Sequence, residues 1–163
     1  MRSDVLNANS NSIGAFEGIK RPVEAVTNAA AVTRTLTEDE SGLLMTVNMA
    51  AVDNNVTITL PPAATSAGVY YDFCFLVDSD DDADFILTTG LNATDMYGSI
   101  VTLGAISTVD VFLAESKITV DGSVAQSCEG LQMAVLCDGV NWHLSGHIPT
   151  VIGTVHLVES ATA

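Results

Sequence analysis

From Val56 to Val77 the chain alternates apolar and polar residues with the period of a β-strand. Val56, Ile58 and Leu60 fall on one face while Thr57 and Thr59 fall on the other, as expected when one face is buried and one is wet. Pro61-Pro62 ends that ladder, because proline has no amide proton to donate. After a short run of small residues, Val69, Tyr71, Phe73, Phe75 and Val77 share the face of a second strand. Two apolar faces joined by a short crossing predict the centre of a β-sandwich.

The same reading extends in both directions. Thr37-Glu38-Asp39-Glu40 before Ser41-Gly42 predicts a single helical turn with Thr37 as N-cap, Glu40 closing a capping box and Gly42 as the stop. Leu43, Met45, Val47 and Met49 share a strand face, and Asp53-Asn54-Asn55 is a turn, so residues 43–49 and 56–60 read as a hairpin. Further strands are predicted at 85–87, 100–103, 109–113, 118–120 and 131–137. Asp138-Gly139-Val140-Asn141 then turns the chain into Trp142-His143-Leu144. Residues 148–158 alternate again, as an edge strand or as a tail that pairs with another subunit. The total is about ten strands, with no segment long and amphipathic enough for the crossover helix of a parallel sheet. The prediction is an all-β, sandwich or jelly-roll-like antiparallel domain over 32–147, preceded by an irregular arm over 1–31 and followed by a strand or tail over 148–163.

Size and composition fit that picture. A chain of 163 residues with 48% apolar residues can bury one core without metal or disulfide. Cys74, Cys128 and Cys137 are odd in number and form no CxxC pair, which points to reduced structural thiols. No apolar leader follows Met1, and no run has the length of a membrane-spanning helix, so a cytosolic site of synthesis without standard export is expected.

Charge changes the picture more. The net charge is −15, yet residues 1–34 set Arg2, Lys20, Arg21 and Arg34 against three acids, and residues 35–163 set Lys117 alone against 17. So acidic a body repels nucleic acid and anionic membrane, because phosphate contact needs clustered Lys and Arg. The arm, with its scattered apolar residues and cations, either packs on its own domain or clasps a neighbouring subunit, and it is the part able to approach an acidic surface. Phe16, Ile19, Lys20 and Arg21 of the arm, with Arg34 just beyond it, are the candidate interaction residues.

Candidate chemistry is sparse. Asp78, Asp80, Asp82 and Asp84 project to one side of an extended chain, which leaves two readings, a solvated tip or a weak Ca²⁺ site. An EF-hand is excluded, since Ala83 and Thr89 stand where it needs glycine and glutamate. His143 and His147, four apart in a strand, are about 13 Å from one another and share no metal. The sequence contains no GxSxG, HExxH, Walker or GxGxxG signature. No resident cofactor and no catalytic activity are expected.

Taken in order, Thr35-Leu36-Thr37 with Ser41-Gly42, Thr59-Leu60-Pro61 with Ala63-Ala64 and Gly68, Tyr71-Asp72-Phe73, and the run from Cys137 to Gly146 resemble small β-rich structural proteins of tailed bacteriophages. The resemblance covers residues 33–147. It implies a head decoration (cement) protein, often a homotrimer, that binds the major capsid protein on the capsid exterior and reinforces capsomer junctions. Such a protein is made in the host cytoplasm and resides in the virion. The alternatives are a tail-fibre or receptor-binding module and, further off, a glycan-active enzyme. No functional residue is carried over, because these proteins act through whole surfaces.

Overall fold

The computed structural model describes residues 21–50, 54–77, 83–90, 95–103, 108–120, 129–148 and 157–159. They form twelve strands and two single 3-10 turns, so the chain is all-β. The strands are β1 Val23–Thr27, β2 Val32–Thr35, β3 Leu44–Asn48, β4 Val56–Thr59, β5 Tyr70–Val77 and β6 Phe85–Thr88, then β7 Met96–Thr102, β8 Thr108–Glu115, β9 Lys117–Val120, β10 Gln132–Cys137, β11 Trp142–Ile148 and β12 Leu157–Glu159.

Two mixed sheets result. The larger has seven strands in the order β1-β3-β5-β10-β11-β7-β8, and the smaller has five in the order β12-β9-β6-β4-β2. The first six strands alternate between the sheets, so consecutive strands cross the core instead of pairing. Each strand then lies parallel to the one two steps earlier: Val23 beside Leu44, Leu44 beside Asp72, Val32 beside Val56 and Val56 beside Phe85. Of the later strands, β8, β9, β10 and β12 add antiparallel ladders, β10 and β11 form a tight hairpin, and β11 also lies parallel to β7.

This arrangement corrects two expectations. The pairing is not uniformly antiparallel, and residues 43–49 and 56–60 do not form a hairpin, since β3 pairs with β1 and β5 while β4 pairs with β2 and β6. A parallel pair needs a long return connection. Here a strand of the opposite sheet supplies it, so no crossover helix is required. The N-terminal boundary moves as well. Within the segment 1–31, residues Val23–Thr27 form an edge strand beside β3, and Asn28 is fully buried with its amide donating to the Met49 carbonyl at 3.2 Å.

The inner faces are those that the alternation indicates. Met45, Val47 and Met49 of one sheet and Val56, Ile58 and Leu60 of the other are buried in one continuous core. Phe85 of β6 meets Phe73 and Phe75 of β5 edge-on, with ring centroids 5.7 and 4.9 Å apart, which joins the two sheets. Trp142 stacks on Tyr71 at 5.9 Å and donates its indole N–H to the Pro61 carbonyl at 3.2 Å.

Candidate functional site

Two surfaces stand out, and they lie on different parts of the molecule. The first is a cleft of about 840 Å³ at the end where β2, β4 and the β10–β11 turn converge. Its rim begins with the predicted capping box. The Thr37 amide donates to Glu40 Oε2 at 2.8 Å, the Thr37 hydroxyl to the same oxygen at 2.9 Å, and Gly42 leaves the turn with φ +90°. Tyr71 donates its hydroxyl to the Thr37 carbonyl at 2.7 Å, which fastens this turn to β5. Burial, followed by nearby Glu40 and Glu38, pushes the Tyr71 phenol up to about 12. The phenol therefore acts as a donor and not as a base.

Of the turn after β10, Val140 lines the opposite side of the cleft, while His143, which the turn holds, lines a separate furrow across β5, β10 and β11. Asp138 Oδ1 accepts the Val140 and Asn141 amides, each at 2.7 Å, and Oδ2 sits 2.8 Å from His143 Nε2. The His143 contact first, then the two amides, hold the Asp138 carboxyl down at about 2. Cys137, behind it, is buried and raised in pKa, chiefly by that burial, so its thiol is a weak nucleophile. Thr35, Thr59, Thr89, Pro62 and Ala64 line the floor, and Glu38, Asp39 and Asp95 bring three carboxylates to the cleft. Such a lining can hold solvent or a neighbouring chain.

The second surface is the outer face of the seven-stranded sheet. Strand alternation places Tyr70 and Leu76 of β5, Leu136 of β10, and Val109, Val111 and Leu113 of β8 on it, all at least 43% exposed. Of the nine large apolar residues exposed among the described residues, only Val140 lies away from this sheet or its strand ends. Among the described residues the face carries one carboxylate, Asp72, and Arg21 pairs with it. Arg21 also donates to the Gly42 carbonyl at 3.1 Å and lies 5.5 Å from the centre of the Tyr70 ring.

The candidate interaction residues from the sequence are therefore divided. Arg21 is held on β5, and Arg34 is held between Glu24 of β1 and Glu40 of the capping turn. Burial opposes the Arg34 charge, but contacts with Glu24 and Glu40 outweigh it and raise its pKa. Phe16, Ile19 and Lys20 lie outside the described residues, as do Asp78, Asp80 and Asp82. Asp84 is described: its amide donates to Asn55 Oδ1 and its carbonyl accepts the Val56 amide, both at 2.9 Å. Among the described residues no three His, Cys, Asp or Glu side chains gather as metal ligands. No described helix is long and apolar enough to cross a membrane.

The apolar outer face is what reading the sequence missed. Its signal was present in the Thr-Val-Asp-Val-Phe-Leu run of β8, where Val109, Val111 and Leu113 oppose a buried Phe112. That strand exposes three apolar side chains on its outer face although it lies at a sheet edge. No family model, curated protein or solved structure matches the chain.

Proposed function

We propose that the chain is a virion structural protein, a decoration protein that binds the outside of a tailed-phage head and reinforces capsomer junctions. The observation that carries this reading is a sheet face with exposed apolar side chains and one described carboxylate on an otherwise acidic all-β body. Such a distribution suits work by surface contact, because large apolar patches on monomers mark interaction sites. The resemblance of residues 33–147 to phage structural proteins supplies the setting. In this reading the protein is not an enzyme, and residues 1–20, with Phe16, Ile19 and Lys20, grip the major capsid protein. Arg21 and β1 secure the point where that segment joins the body. Decoration stabilises the shell by mass action, since a ligand that binds only the assembled lattice lowers its free energy.

The test is to delete residues 2–20 and mix the protein with undecorated heads. The body should fold, and binding should be lost. A truncated chain that still decorates heads overturns the reading. Gold-labelled full-length protein should cover the head in negative stain. Label confined to the tail would instead assign a fibre or receptor-binding module.

A further inference from the structure

We infer that the outer face of the seven-stranded sheet is a homotypic interface, covered by a second copy of this chain. The inference deepens the proposed function and rests on it only in taking the body to work by contact. Three observations select the occupant.

The first is charge. Each copy carries a net −15, so two copies repel one another at most orientations. On this face the single described carboxylate, Asp72, is matched by Arg21, so the face adds little of its own to that repulsion. The face also has no surplus of cations to attract a strongly acidic partner.

The second is shape. Shallow furrows of about 540 and 400 Å³ cross β5, β10 and β11, and both are floored by the small side chains Ala134 and Ser145. Two strands away, Val109, Val111 and Leu113 stand out from β8 as an apolar ridge, 58%, 53% and 69% exposed. Ridge and furrow belong to one surface, so the ridge of one copy has a seat on the next.

The third is area. Seven strands about 4.8 Å apart and roughly 20 Å long present about 600 Å² in projection, close to the roughly 800 Å² per partner of a standard stable interface. Edge pairing is a poorer alternative, because Asp110 lies in register with buried Ile100 and places a carboxylate on the inner side of edge strand β8.

Light scattering on size-exclusion fractions tests this with the full chain. The wild type should run at two or more times the 17.0 kDa chain mass at concentrations near 100 µM. The double variant Val111→Glu/Leu136→Glu should run at the single-chain mass, with at least a tenfold weaker association constant. Thr57→Glu, on the outer face of the smaller sheet, should keep the wild-type mass. Circular dichroism and the emission of buried Trp142 establish that each variant is folded. Added NaCl should strengthen the association by screening residual repulsion. A wild type at the single-chain mass, or a folded double variant that stays associated, overturns the inference. A single-chain wild type whose head binding is lost with the double substitution assigns the face to the shell protein and likewise overturns it. Loss of head binding on deleting residues 2–20, with the oligomer intact, concerns the arm alone.

Discussion

The two sheets share one core but present different outer surfaces. The smaller sheet faces outward with threonine: Thr33 lies beside Thr57, Thr35 beside Thr59, and Thr59 beside Thr88 in parallel register. Its strands contain no glycine, and Thr–Thr neighbours give a hydroxylated surface that tolerates water. The larger sheet faces outward with valine, leucine and tyrosine at β5, β8 and β10 and with His143, Ser145 and His147 along β11, and two glycines let its strands approach closely. A Cβ on Gly98, whose φ is +154°, would lie 1.9 Å from the Leu144 carbonyl oxygen. One Gly146 Cβ contact would be 3.0 Å, to the Gln132 carbonyl. Inward, the sheets are equivalent in being apolar and close-packed. Outward, one is finished for solvent and the other for contact, so the fold depends on what the sheets share and the proposed function on where they differ.

The largest effect is expected at the shared core. Phe85→Ala removes the ring that touches both Phe73 and Phe75, and should cost about 3–5 kcal/mol in urea unfolding. Unfolding should remain one transition seen alike by Trp142 emission and far-ultraviolet circular dichroism. Two separate transitions would show the sheets to be independent and break the comparison. Gly98→Ala should follow, at about 2 kcal/mol or more, because its methyl meets backbone that cannot swing away. A neutral result there would show that β7 shifts freely against β11.

Arg34→Met cuts the tie between β1 of the larger sheet and β2 of the smaller. With partly exposed partners on both sides, the expected loss is about 1–2 kcal/mol, and it should shrink in high salt. Thr57→Val on the solvent face should stay within about 0.5 kcal/mol of wild type. The smallest effect is expected at Asp138. Its folded pKa of about 2 lies below the ordinary carboxylate value. The stabilisation it contributes is therefore complete above the unfolded pKa and fades as pH falls from about 4 to about 2. Asp138→Asn should remove that part of the acid sensitivity, which unfolding measured at closely spaced pH values detects. Unchanged acid sensitivity would show that the turn holds without the carboxylate.

Much of the body could be read before any coordinates. The inner faces of 43–49, 56–60 and 69–75, the capping turn at Glu38–Glu40 and the turn at 138–141 all follow from local rules. Each depends on a residue's own neighbours: a period of two, an N-cap three residues from a glutamate, an Asp-Gly before a tryptophan. Strand β1 was less legible. Only Val26 of its five residues is buried, so Val23–Thr27 carries almost no periodicity and reads as part of the arm. It is a strand because β3 offers a ladder and Arg21 holds its start on β5. The candidate contact face was hidden for a related reason, since Tyr70, Leu136 and Val111 come from distant stretches and become one surface only when β5, β10 and β8 enter one sheet.

Local sequence determined that this protein is built of strands, which side of most of them is buried, and how the turns at 38–40 and 138–141 close. Tertiary structure alone decided which strands are neighbours, and so turned an expected hairpin into two parallel ladders on opposite sides of the core. The reason is physical. A side-chain pattern states which face leaves water, whereas backbone N–H and C=O groups are alike in every strand and accept any partner that the packed core brings within reach.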